Sequence, residues 1–448
     1  MASAAERLAA NVNLGAFSKA TELKKRIWFT LAALVVYRLG TYIPIPGIDS
    51  VVLGEIFRQN AGGLLGMFDM FAGGALSRMT IFALNIMPYI SAAIIMQLMT
   101  AVSPKLEALK KEGEQGRKKI NQYTRYGTVF LAAVQAYGLA IGLESMQGPS
   151  GSAVMDPGLF FRASTVITIV GGTIFLMWIG EQITARGVGN GISLIIFSGI
   201  VANLPSALAS ILELSRTGAM SAAFIIFLLV MAVAVITVVV FFERAQRRIV
   251  VQYPKRQVGN RMYGGDSSHL PLKLNTSGVI PPIFASSLLL MPLTIASFGG
   301  TGQGPEWLNT VAAYLGHGQP LYLLLYVSLI VFFCFFYTAI VFNPEETADN
   351  LRKYGGFIPG IRPGKNTAEY LDYVLTRLTV VGAIYLSLVC LLPEILISRY
   401  SVPFYFGGTS LLIVVSVTMD TVAQVQSHLL AHQYEGLIKK SRLRGRRG

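Results

Sequence analysis

The chain has 448 residues, of which 53% are apolar and only 13% charged, and its mean hydropathy is +0.56. Ordinary soluble domains carry about 25% charged residues. The composition therefore excludes a disordered or coiled-coil chain, argues against a soluble multidomain enzyme, and fits a polytopic membrane protein. A net charge of +14 in a soluble protein would suggest nucleic acid; in a membrane protein it raises the question of which face carries it.

A membrane-spanning helix needs about 20 mostly apolar residues. After a polar, partly amphipathic lead-in at 1–24, ten stretches qualify: 25–43, 79–101, 124–143, 160–180, 190–210, 221–242, 276–297, 320–342, 376–395 and 404–425. The first is too long for a cleavable signal and runs into IPIPG, not a small-residue cleavage site. Pro205 interrupts the fifth and Asp420 lies in the tenth. Between the first two spans, AGGLLGMFDMFAGGAL (61–76) is apolar but too short and too glycine-broken to cross, so it reads as a re-entrant or cavity-lining segment. Pro88, Pro205, Pro281, Pro282 and Pro292 read as breaks within spans.

Of the 37 Lys and Arg residues, 31 fall in the two termini and alternate loops, and only Arg58, Arg162, Arg216 and Arg399 in the opposite loops. Arg38 and Arg78 lie in or beside spans. The positive-inside rule then puts both termini and the basic loops in the cytosol, and the even number of spans agrees. Loop 243–275 alternates polar and apolar residues in RRIVVQY on either side of a Pro-Lys-Arg tip, which predicts a projecting β-hairpin. Loop 345–377 adds Arg352, Lys353, Arg362 and Lys365. Two basic projections on one face suit an acidic or nucleic-acid partner, or anionic lipid headgroups. The tail KKSRLRGRRG (439–448) reads as disordered by composition.

Catalytic and cofactor motifs fail on spacing. GIRPGKN (360–366) lacks the four residues between glycines and the Ser or Thr of a phosphate loop. GVGNG (187–191) follows no strand and reads as a flexible hinge. His428 and His432 share a helix face without the glutamate of a metalloprotease motif. Cys334 and Cys390 both lie in apolar spans and read as buried thiols. No cofactor or metal is expected. Charges inside spans, usual in ion-coupled transporters, are few: Arg38, Asp420, and Glu181 and Glu394 at span ends.

Long stretches carry a resemblance to a known family: IPIPGI (43–48), FAGGALSR (71–78), KKEGEQGRKKINQYTRYGT (110–128), RGVGNGISLIIF (186–197), RRIVVQYPKRQ (247–257), HLPLKLNTSGVIPPIFASS (269–287), NPEETADNLRKYGGFIPGIRPG (343–364) and VPFYFGGTSLLIVV (402–415). Over roughly 20–440 the chain resembles the SecY family, channel subunits of the bacterial protein translocase. The resemblance implies an all-α polytopic fold of ten transmembrane helices. These would form two pseudo-symmetric five-helix halves, 25–215 and 216–438, around a central pore with a short re-entrant plug helix. It implies passage of unfolded polypeptide, with its signal peptide, across the plasma membrane and lateral release of hydrophobic segments. Implied partners are SecE and SecG in the membrane, the ATPase SecA or a ribosome on the cytosolic face, and anionic lipids.

Carried over by position, the resemblance implies a pore ring of Ile86, Ile90, Ile192, Ile196, Ile283 and Ile413. Isoleucines four apart share a helix face, and an apolar neck resists ions by dewetting, although such spacing is also ordinary packing. The plug would include Gly66, Phe68, Met70, Phe71, Gly73 and Gly74. The lateral gate would include Ser91, Ile95, Gln135 and Met291. Partner docking would involve Lys255, Arg256, Arg261, Arg352, Lys353 and Arg362. Asn85 departs from the small residue expected beside the ring. The alternative from residues alone is a secondary transporter of a small solute with inverted repeats.

Overall fold

A computed structural model describes residues 20–59, 69, 72–145, 147–148, 151–217, 221–253, 256–258, 261–263, 267–298, 319–400 and 408–444. In chain order the helices are α1 (Thr21–Gly40), α2 (Ser50–Gln59), α3 (Met87–Val102), α4 (Pro104–Lys111), α5 (Glu114–Ser145), α6 (Leu159–Arg186), α7 (Gly191–Arg216), α8 (Ala222–Arg244), α9 (Ile280–Phe298), α10 (Pro320–Val341), α11 (Pro344–Lys353), α12 (Lys365–Tyr400) and α13 (Gly408–Arg444). A helix lies on each of the ten expected spans. Seven of them (α5, α6, α7, α8, α10, α12 and α13) are long and apolar enough to cross a membrane by themselves. Of the other three, α1 carries Lys24, Lys25, Arg26 and Arg38, α3 has only 16 residues, and α9 has 19.

Several boundaries differ from expectation for physical reasons. Pro88 does not break a helix; it sits in the first turn of α3, where the missing N–H has no partner to lose. Pro281 and Pro282 likewise open α9. Before α3, residues 81–86 form turns, and Asn85 adopts φ +50°. Asn tolerates this left-handed region better than most residues, which accounts for an amide at that position. Ser103 is extended ahead of Pro104, as a residue preceding proline prefers, and the axis bends by 98° there between α3 and α4. At the C-terminus α13 continues to Arg444, so the basic stretch from Lys439 to Arg444 is helical, not the disordered tail its composition suggested. Propagating an existing helix costs far less than nucleating one, and cations favour its C-terminal end.

The chain forms two compact units, Met1–Leu204 with Val417–Gly448, and Pro205–Ser416. In the first, α5 packs against both α3 and α6. Bidentate ion pairs clamp the α5–α6 hairpin at both ends. Arg125 donates to both carboxylate oxygens of Glu181 at 3.0 and 2.7 Å. Arg162 donates to Glu144 at 2.6 and 3.0 Å, and Glu144 also accepts the Gly158 N–H at 3.1 Å. Nineteen residues separate the two clamps along each helix. At about 1.5 Å per residue that is close to the ~30 Å hydrocarbon thickness.

The segment GVGNG is a tied turn, not the flexible hinge expected. Thr30 Oγ1 accepts the Val188 N–H at 3.0 Å, Gln424 Oε1 accepts the Gly189 N–H at 2.8 Å, and Thr184 Oγ1 accepts the Gly191 N–H at 2.9 Å. Ala20, Leu23 and Val188 form a small buried cluster beside it with Ile27, Val425 and Leu429. The turn therefore joins the beginning of α1 to the middle of α13.

The first unit holds one short strand pair, β1 (Gln147–Gly148) with β2 (Gly151–Ser152); in the second unit, β3 (Gln246–Gln252) pairs antiparallel with β6 (Ser267–Lys273), from Gln246 opposite Lys273 to Gln252 opposite Ser267. A tip follows with β4 (Arg256–Val258) opposite β5 (Arg261–Tyr263). The period-2 pattern thus forms the expected hairpin. Its inward residues Ile249, Val251 and Leu272 bury against Ile358, Leu371, Val374 and Leu375. Phe357 and Gln252 exchange both backbone hydrogen bonds at 2.9 Å. The two expected projections are therefore one packed platform.

Candidate functional site

The described part of the glycine-rich segment, Ala72 to Met79, is built of turns. Gly66, Phe68, Met70 and Phe71 lie outside the described residues, whereas Gly73 and Gly74 are buried at φ +66° and +81°. Glycine is the residue that takes this conformation without steric cost. A Cβ on Gly73 would also lie 2.9 Å from the Cα of Gly199 on α7. That contact is one turn from Ile196, so the elbow rests on the helix that bears two expected ring residues.

Polar groups fix the elbow from several sides. Asp69 accepts the Gly74 N–H on its main-chain oxygen at 2.9 Å and the Ser77 N–H on its carboxylate at 2.8 Å. Arg38 reaches from α1 and donates to the Gly73 carbonyl at 2.7 Å. Arg78 donates to the Gly74 carbonyl at 2.7 Å and the Gly73 carbonyl at 3.2 Å. Both guanidiniums lie against the Tyr42 ring, 5.3 and 4.0 Å from its centroid. Downstream, residues 79–81 pair with 43–45, the Ile45 N–H donating to Met79 and the Ile81 N–H to Ile43. A ring stack of Tyr37, Phe82, Phe175 and Trp178 joins α1 to α6.

Of the other ring positions, Ile86 is the buried residue preceding α3, and Ile90 is buried in its first turn. Ile192 opens α7 half-buried, and Ile196 is buried one turn on. All four belong to the first unit. Ile283 on α9 is half-buried and Ile413 on α13 buried, both in the second unit. At the expected gate, Ser91 is buried on α3, Ile95 exposed on the same helix and Gln135 half-buried on α5. Met291 falls on α9, and its side chain lies outside the described residues.

On the platform, Arg352, Lys353 and Arg362 are exposed. Arg352 and Lys353 fill the last turn of α11, whose first turn is capped by Asn343 accepting from the Glu345 and Glu346 N–H groups. Lys255 lies outside the described residues, as do the side chains of Arg256 and Arg261 on the hairpin tip. Alternation in sequence did not reveal that the basic face also holds acid. A cleft of about 490 Å³ between α11 and α12 is lined by Glu345, Asp349, Glu369 and Asp372, with Lys365 among them. On the other basic loop, Lys111 lies 2.8 Å from Glu107 and holds its carboxyl below the usual range. Sequence reasoning also missed α2, whose signal was Asp49: its carboxylate accepts the Val51 and Val52 N–H groups as an N-cap does.

A polytopic helical chain of this kind has the fold of protein-conducting channels. A solved protein-conducting channel aligns with a TM-score of 0.66 at 18% identity, covering 91% of this chain and 92% of that one. Sec61 in the canine ribosome–channel complex aligns at 0.63 and 17%, with 91% and 92% covered. The SecY family model matches residues 80–422. The protein translocase subunit SecY of Rickettsia bellii is 59% identical over 430 residues, 96% of this chain and 99% of that one. The Escherichia coli K12 subunit is 58% identical over 424 residues, 95% and 96% of the two chains. The chain belongs to the SecY family. The solute-transporter alternative is not favoured, because near-full-length relatives are translocase subunits.

Proposed function

We propose that this chain is the channel subunit of a protein translocase in the bacterial plasma membrane. It passes unfolded secretory polypeptides outward and releases hydrophobic segments sideways into lipid. The observation that carries this is the near-full-length relation to protein translocase subunits at 58–59% identity. In this reading Ile86, Ile90, Ile192, Ile196, Ile283 and Ile413 form the apolar neck, which excludes ions by dewetting and makes no sequence-selective hydrogen bonds with the passing chain. Residues 61–76 form the plug at rest. Ser91, Ile95, Gln135 and Met291 line the lateral gate, where a signal peptide leaves for lipid.

Both termini and the platform face the cytosol, in keeping with the charge asymmetry. SecE and SecG pack beside the chain in the membrane, and anionic lipids surround it. SecA or a ribosome docks on the platform through Lys255, Arg256, Arg261, Arg352, Lys353 and Arg362, and supplies the driving force. A channel of this fold is described in a canine ribosome complex, which supports a cytosolic partner of that kind.

The test is export driven through the reconstituted channel. Charge reversal at Arg362 slows export several-fold and weakens partner binding, with normal amounts of channel inserted. Export at the wild-type rate in Arg362→Glu combined with Lys353→Glu would refute the docking assignment. Gly or Ser at Ile86 and Ile192 raises resting ion conductance; no increase would refute the ring.

A further inference from the structure

We infer that Arg38 is a latch: its bond to the Gly73 carbonyl holds the glycine elbow against α7 and so sets how firmly the resting channel is closed. The inference rests on the reading of 61–76 as a plug. Arg38 belongs to α1, 35 positions before Gly73, so this bond links the elbow to a different element. Arg78, by contrast, bonds carbonyls four and five residues before itself and shapes the elbow from within. The two arginines therefore have different duties, one tethering and one shaping.

Four further observations fit a latch better than a permanent weld. The acceptors are main-chain carbonyls, which water can satisfy once the elbow moves, so release leaves no buried charge unpaired. Arg38 and Arg78 make no salt bridge among the described residues, and the Tyr42 ring steadies both guanidiniums without neutralising them. Gly73 and Gly74 have backbone freedom that other residues lack, so the elbow can swing without strain. The contact that seats it is glycine on glycine, Gly73 against Gly199, close but without interlocking side chains. A charge-assisted hydrogen bond of 2.7 Å then provides the directional hold.

The test measures resting ion conductance of the full channel complex in planar bilayers, normalised to inserted channel, beside export rate and melting temperature. Arg38→Gln raises resting conductance roughly tenfold, the scale of one charge-assisted hydrogen bond, while export is kept or quickened. Arg38→Lys, which keeps the charge but loses the planar fork, gives an intermediate leak. A purely structural role for Arg38 lowers melting temperature and yield without raising leak per channel, and that outcome overturns the inference. Deletion of 61–68 is measured alongside. If the deletion leaks and Arg38→Gln does not, the latch falls and the plug reading stands. If neither leaks, the plug reading falls and the latch with it. Should Arg38→Gln fail to assemble, Tyr42→Ala is the second probe: it removes the ring and keeps both arginines. Raised leak supports the latch, and wild-type leak overturns it.

Discussion

Gly172 has no room for a side chain. A Cβ there would run into the carbonyl of Ile81 and the ring of Phe82, so α6 approaches the chain before α3 at backbone distance. Gly172→Ala should destabilise the protein by about 1–3 kcal/mol, the usual cost of overpacking, seen as a lower melting temperature in detergent. Glu144 makes a second residue-scale case. Its side chain is only 11% exposed, and it accepts from both Arg162 and the Gly158 N–H. Glu144→Gln should lower the melting temperature more than Glu181→Gln, because the Arg125–Glu181 pair is more exposed and such pairs are worth at most about 1 kcal/mol. Neither role was legible in sequence. A glycine within an apolar run and a glutamate at its end look alike whether or not something packs on them.

At the scale of elements, pattern was the better guide. The alternation in RRIVVQY specified β3, and its register put Ile249 and Val251 inward. What the pattern lacked was the other wall of that core, formed by Ile358 and the start of α12, 100 or so residues on. Leu272 is 3% exposed in this core. Leu272→Ala should cost about 2–5 kcal/mol locally, releasing the hairpin from α12. Limited proteolysis should then cut the 243–275 loop faster, with the transmembrane helices still intact. The prolines show the opposite failure: Pro88, Pro281 and Pro282 read as breaks, yet they open helices, because proline is disruptive only where an N–H would have been bonded. GVGNG read as loose for its glycines, but its N–H groups are held by Thr30, Thr184 and Gln424. Two of those partners are more than 150 residues away.

For the whole molecule, the charge count makes a topological prediction. Cys at Lys353 should react with a membrane-impermeant thiol reagent only in inside-out vesicles. Cys at Asp156, exposed in the turn between α5 and α6, should react only in right-side-out vesicles. Cys334 and Cys390 are buried and should give no background. Labelling of both positions from one side would overturn the orientation. The sequence by itself determined the class of molecule and the ten helices, and its Lys and Arg count supplies the orientation that the labelling tests. These follow from hydropathy summed over about 20 residues and from counting Lys and Arg, and neither depends on a distant contact. Only the tertiary structure decided that two basic loops are one platform with an acidic cleft, and that the ion pairs of α5 and α6 stand a membrane's thickness apart. It alone showed that Arg38, an unexplained charge in a span, grips the Gly73 carbonyl. Each of these is a contact between residues remote in sequence, set by the directions in which side chains and backbone groups point once the helices pack. No local pattern records those directions.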